Sequence, residues 1–295
     1  MIDNELKKRR AGILGCVFLC ILLFLGIYAT ETLKKKVTSN NLVNVENPKI
    51  RVTFFDVGKG DAILIETGGH QMLIDSGYDK TAGLILDYLE KQNIRQIDYL
   101  VITHFDKDHV GGADSILTSI EVDDVLQPDY ESDSDQYLEY ADVMDKQGMQ
   151  PYLVTETMRF SMDGVDFLVY PPQKGEYEEE DNDFSLVISM TYKSRSFLFA
   201  GDCEKERLSE LMEQSEFDLA HDVLKVPHHG KKEKNSEEFL KAVTPQIAVI
   251  TCAEGIPADD KICRILNELD TEVYLTSNGH VICLCDGENL MVMQE

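Results

Sequence analysis

The sequence has no tryptophan, only 28 basic side chains against 54 acidic ones, and no Cys-x-x-Cys pair among its seven cysteines. Each shortage excludes something. Without paired cysteines there is no zinc-finger spacing. Cys16 and Cys20 fall in an apolar run, and Cys203, Cys252, Cys263, Cys283 and Cys285 read as small buried hydrophobes. Five cysteines in the body is an odd number, which fits poorly with an oxidising compartment. The shortage of bases leaves a net charge of −26, and it is uneven: the first 49 residues carry eight basic and four acidic side chains, the rest 20 and 50. A body this acidic repels nucleic acid and anionic lipid at long range, which excludes a general polyanion-binding module. There is no low-complexity tract and no short-period repeat. With 43% apolar and 28% charged residues in a 295-residue chain, the composition is that of one large globular domain or two small ones.

Long apolar runs are also scarce. One stands out, AGILGCVFLCILLFLGIYAT at residues 11–30. As a helix its twenty residues would span about 30 Å, the thickness of a hydrocarbon core. Lys7, Lys8, Arg9 and Arg10 precede it, and Lys34, Lys35 and Lys36 follow more sparsely. The denser cluster favours a cytoplasmic N-terminus and an extracellular body on a single-pass membrane anchor. A cleaved signal peptide is the alternative. The expected organisation is a basic tail (1–10), a transmembrane helix or signal anchor (11–30), a polar linker (31–49) and a body (50–295).

Within the body, apolar runs predict strands at 50–55, 62–66 and 71–74, with Gly58, Gly60, Gly68 and Gly69 marking turns. Helical spacing follows at 81–92, then a continuously apolar strand at 98–103, a helix at 113–119, a strand at 122–126 and an acidic helix at 134–147. The second half repeats the style. Strands are expected at 165–170, 185–191, 196–200, 222–226, 247–251, 272–276, 281–285 and 289–293, and helices at 203–214, 236–242 and 257–269. Two halves that each move from strands to strand–helix alternation predict an α/β body of two sheets with helices outside.

The most informative stretch is THFDKDHVGG, residues 103–112. Imidazole and carboxylate are good ligands for borderline divalent ions such as zinc and manganese. His104 and Asp106 lie two apart in extended chain and point to one side. Asp108 and His109 can face a second point nearby. Two cations about 3.5–4 Å apart would share a water and make it hydroxide at neutral pH. Gly111 and Gly112 let the backbone pass close.

This segment resembles the H-x-[HD]-x-D-H loop of the metallo-β-lactamase superfamily, in the variant carried by the metallo-hydrolase domain of the ComEC-type competence proteins. FFDVGKGDAILIETGGHQMLIDSG (54–77), NDFSLVISM (182–190), FLFAGDC (197–203) and VLKVPHHG (223–230) resemble further motifs of that family in the same order. The resemblance implies a four-layer αββα sandwich over 50–295 and a hydrolase with two divalent ions, zinc or else manganese. By position, His104 and Asp106 would hold the first ion and Asp108 and His109 the second. Asp202 would bridge, and His229 would complete the set. His228 would then contact a phosphate or protonate a leaving group. Asp61 and Asp75 would orient the ligands. Many members have a further histidine before the Gly-Asp strand; here Asn182 or Asp183 would have to serve. Lys231 replaces the usual serine after His-His-Gly and would meet substrate.

The resemblance implies phosphodiester cleavage, nucleic acid included, beside DNA-uptake or envelope proteins. Lys225, Lys231, Lys232 and Lys234 are expected to form a local positive mouth in the acidic body. The alternatives are an esterase or lactonase acting on small molecules, and a catalytically weak metal-binding module in an uptake or envelope complex.

Overall fold

A computed structural model of the chain describes Val45 and residues 48–178, 180–214 and 218–295. The basic tail, the apolar run at 11–30 and most of the linker lie outside the described residues. Among the described residues no helix is long and apolar enough to cross a membrane.

Two sheets form the centre. The first begins with β1 (Ile50–Phe54), β2 (Ile63–Thr67) and β3 (His70–Ile74), an antiparallel meander set by the Gly68–Gly69 turn. Parallel strands β4 (Gln96–Val101), β5 (Glu121–Pro128) and β6 (Tyr152–Val154) extend it on one side. The second sheet contains β7 (Met158–Met162), β8 (Val165–Tyr170), β9 (Val187–Tyr192) and β10 (Arg195–Phe199), all antiparallel. It continues through parallel β11 (Val223–Lys225), β12 (Ile247–Ile250) and β13 (Glu272–Leu275). The last hairpin, β14 (Val281–Cys285) and β15 (Leu290–Gln294), does not stay with its own half. It crosses back, and β14 pairs antiparallel with β1 in the first sheet. The expected two sheets are present, and this hairpin belongs to the sheet of the first half.

Side-chain alternation explains the layers. Val52, Phe54, Ile63, Ile65, Met72 and Ile74 face Phe167, Val169, Ile188, Met190, Phe197 and Phe199 across the middle. Leu64, Leu73 and Leu100 point the other way, onto helices α1 (Ala82–Lys91), α2 (Ala113–Ser119) and α3 (Asp135–Gln147). On the far side Leu198, Leu224 and Ala248 pack on α5 (Lys205–Glu213), α6 (Ser236–Val243) and α7 (Asp260–Glu268), with the short α4 (Glu180–Asp183) preceding β9. Strands covered on both faces read in sequence as unbroken apolar runs, which is why ILIE, YLV and IAVI were legible.

Strands β1, β3, β4, β10, β11 and β12 are each followed by a loop that carries one of the clustered polar residues: Asp61, Asp75, His104–His109, Asp202, His228–His229 and Thr251. Ligands gather at such strand ends in α/β sheets because the loops there converge.

Candidate metal centre

The THFDKDHVGG loop leaves β4 and turns back before α2. His104 and His109 are fully buried, with ring centroids 4.0 Å apart. From the second sheet, Asp202 follows β10 and is 1% exposed. Its Oδ1 lies 3.3 Å from His109 Nε2, and its Oδ2 lies 2.9 Å from His229 Nε2. The two Nε2 atoms are 3.4 Å apart. His104, His109 and Asp202 each offer one ligand atom within 4.8 Å of the others, as do Asp61, His109 and His229. Asp106 Oδ2 is 3.8 Å from His104 Nε2, and Asp108 Oδ2 is 3.6 Å from His229 Nε2. The structure therefore brings His104, Asp106, Asp108, His109, Asp202 and His229 to one place from three stretches of chain.

The second nitrogens are tied outward. His109 Nδ1 meets Asp75 Oδ2 at 2.7 Å, and Asp75 also accepts from Thr103 N and Thr103 Oγ1, both at 2.7 Å. His229 Nδ1 lies 2.9 Å from Thr251 O, and Thr251 Oγ1 donates to Asp61 Oδ1 at 2.6 Å. Such contacts fix a tautomer that turns Nε2 inward. His104 Nε2 is buried yet has no hydrogen-bond partner among the described residues. An orphaned imidazole nitrogen costs stability in a dry site unless something else coordinates it. Together with the inward Nε2 atoms and the carboxylates, it fits a divalent ion.

Lys225 corrects a sequence expectation. It does not line a positive mouth but is 0% exposed, with Nζ 2.5 Å from Asp61 Oδ2, 3.2 Å from Asp202 Oδ1 and 2.9 Å from Gly201 O. The lysine is an internal counter-charge joining the carboxylates behind the centre.

The electrostatics follow from burial and these pairs. Burial penalises charge on Asp202, but His229, His109 and Lys225 outweigh it and hold the carboxyl well below its usual range. Burial works against charge on His109 too, and Asp202 and Asp75 overcome it and raise that ring well above the ordinary histidine value. Burial, then the neighbouring His109, pushes His104 well below it. Burial likewise lowers His229, against the pull of Asp202. Asp106, half out of the cluster, is pushed up to about 6, chiefly by burial.

His228 and His229 sit on a 3-10 turn, Pro227–Gly230, with φ of 46° and 52°, followed by Gly230 at 77°. Left-handed backbone is unfavourable for histidine and tends to persist where surrounding contacts enforce it. Here it sends the two rings in different directions. His229 enters the cluster. His228 Nδ1 lies 2.8 Å from Glu204 Oε1, while its Nε2 is 3.9 Å from Asp202 Oδ2.

Glu204 was not legible as a site residue. Burial alone would raise its carboxyl, but His228 and Lys231 bring it down to about 2. Lys231 Nζ is 2.7 Å from Glu204 Oε1, and Asn182 Nδ2 donates to the same oxygen at 3.1 Å. Asp183 accepts from Glu204 N and Arg207 N at 2.7 and 3.3 Å, so its carboxylate binds the backbone where α5 starts. Asp183 joins none of the donor groups around His104, and Asn182 Oδ1 is buried with no hydrogen-bond partner among the described residues.

Residues 55–253 match the family model of the metallo-β-lactamase superfamily. Recombination protein 2 of Haemophilus influenzae is 28% identical over 257 residues, which is 85% of this chain and 29% of that protein. Competence protein ComA of Neisseria gonorrhoeae is 28% identical over 199 residues, 67% of this chain and 26% of that protein. The chain thus spans less than a third of the length of these curated relatives, and the resemblance to competence proteins is borne out. Among solved structures, Igni18, a metallo hydrolase from Ignicoccus hospitalis, superposes with a TM-score of 0.52 at 16% identity, covering 83% of this chain and 99% of that one.

Proposed function

Because this chain belongs to the metallo-β-lactamase superfamily, we propose that it is a hydrolase using two divalent cations, zinc in the first instance, to cleave phosphodiester bonds. The observation that carries this reading is the convergence of His104, His109 and His229 on the single carboxylate Asp202, with the outer nitrogens of His109 and His229 already tied to Asp75 and Thr251 O. In this proposal His104 and Asp106 would hold one ion, Asp108, His109 and His229 would hold the other, and Asp202 would be a ligand available to both. When bound, such ions supply Lewis acidity at the scissile ester and lower the pKa of water to near neutral.

The chain's own residues do the rest. Asp75 and Thr251 keep the rings of His109 and His229 from rotating. Lys225 holds Asp61 and Asp202 in fixed directions without competing for water. Glu204 Oε1 stands 2.8 Å from His228 Nδ1 without forming a hydrogen bond to it, and His228 Nε2 lies on the Asp202 side, where it would deliver a proton to a departing oxygen. A net charge of −26 disfavours long duplexes, so a short phosphodiester or a chain end is the preferred substrate. The competence relatives support a role beside DNA-uptake or envelope proteins. The apolar run at 11–30 supports a single-pass membrane anchor with the body outside the cell.

Metal analysis of the purified full-length chain tests the core of this. About two ions per chain, with faster turnover of bis-nitrophenyl phosphate than of nitrophenyl acetate, is the expected result. A chain that retains no ion after exposure to zinc or manganese would end the proposal. Protease shaving of intact cells should remove the body; a protected body would place it inside.

A further inference from the structure

The loop between β1 and β2 presses on the back of Asp108. Asp61 N donates to Asp108 O at 3.0 Å. A Cβ on Gly60 would come 2.7 Å from that oxygen, so only glycine allows the approach. This contact delivers the preceding residue, Lys59, to the rim of the centre. Its Nζ lies 3.2 Å from Asp108 Oδ2, and its side chain is 29% exposed. Asp108 Oδ2 is thereby claimed twice, by the Lys59 ammonium and by the donor cluster, where it stands 3.6 Å from His229 Nε2.

The other lysines near the centre are committed more heavily. Lys225 is sealed between Asp61 and Asp202. Lys231 is held by Glu204 at 2.7 Å and by Glu233 at 3.4 Å. Among the described residues Lys59 pairs with one carboxylate, and that partner is a residue the proposed function needs for a cation.

We infer that Lys59 is a substrate-binding residue: with Asp108 taken up by the donor cluster, the Lys59 ammonium would turn to an anionic phosphate oxygen of the substrate at the open side of the centre. This rests on the proposed function above and adds the recognition element that an acidic body otherwise lacks. An ammonium on a stem with four rotatable carbons can exchange one oxyanion for another over a few ångströms, and the charge-assisted bond favours a phosphate over a neutral ester.

The test uses Lys59→Met and Lys59→Arg in the full-length chain, with zinc as the metal and inorganic phosphate as the probe. Lys59→Gln repeats the measurement should Lys59→Met not fold, as judged by circular dichroism. In the zinc-loaded protein, Lys59→Met should raise the phosphate Kd about tenfold or more, the effect of losing one charged hydrogen bond, while Lys59→Arg stays near wild type. Zinc affinity, measured by competition with a chromophoric chelator, should rise in Lys59→Met because a competitor for Asp108 has gone. KM for bis-nitrophenyl phosphate should rise more than kcat falls. Unchanged phosphate binding in Lys59→Met overturns the inference and leaves the proposed function standing. So does a fall in zinc affinity, since Lys59 would then merely prop Asp108. A wild-type chain that takes up no zinc removes both.

Discussion

Asp75 Oδ2 lies 2.7 Å from His109 Nδ1, and neither side chain is exposed to water. This single contact sets which nitrogen of His109 faces Asp202. Asp75→Asn removes the charge and one acceptor while keeping the shape. Zinc affinity should fall about 10–100-fold, the usual cost of losing an orienting partner. Chelator competition on the folded variant measures it, and wild-type affinity would mean that His109 is oriented by something else.

Zinc should bind in two unequal steps. In the proposed assignment the ion on Asp108, His109 and His229 would have two imidazoles and the ion on His104 and Asp106 one, with Asp183 engaged elsewhere. Imidazole is the better zinc ligand. His229→Ala should abolish the tighter step and Asp106→Ala the weaker, as read by titration calorimetry. A single step of two equivalent ions would contradict this.

Asp108→Asn should abolish turnover of whichever ester the chain cleaves, with the fold retained by circular dichroism. Undiminished activity would remove Asp108 from the centre.

Lys225→Met should destabilise the metal-free chain by about 3–5 kcal/mol, because it removes the buried ammonium that faces both Asp61 and Asp202. Urea denaturation gives the figure. A variant as stable as wild type would show that water or a proton replaces the ammonium at no cost.

His221 supplies a pH dependence away from the centre. Its ring lies buried, 2.7 Å from Ser189 Oγ, and burial lowers its pKa. A histidine depressed in the folded state takes up its proton first in the unfolded chain, at about pH 6.5. Its stabilising contribution is therefore present above that pH and is lost as the pH falls below it. Melting temperature should drop between pH 7 and pH 5, and His221→Gln should flatten that slope. An equal slope in the variant would assign the acid sensitivity to other groups.

Local signals carried most of the secondary structure. The helices at 113–119 and 236–243 and the strands at 165–170 and 281–285 coincide with their apolar periodicity to within a residue. The short strand Tyr152–Val154 was missed because three residues after a proline show no period. Met158–Met162 was missed despite alternating Met158, Phe160 and Met162. Lys225 was misread for a different reason. VLKV is an apolar strand interrupted by a base, which signals a buried ion pair. The partner, Asp61, lies in the opposite half of the chain, and proximity to His228 favoured a surface reading. Glu204 looked like an ordinary first residue of a surface helix. Its proximity to His228 depends on the left-handed turn at Pro227–Gly230, which sets two adjacent histidines at positive φ.

The return of β14 to β1 has a consequence for biosynthesis. Strand β1 gains its neighbour on one side only when residues 281–285 have left the ribosome. Until then the inward faces of Val52 and Phe54 border an open edge, so the nascent body must wait for its closing hairpin before the sheet is whole. A premature stop before residue 281 would leave every group of the proposed centre encoded and the sheet beneath Asp61 unclosed.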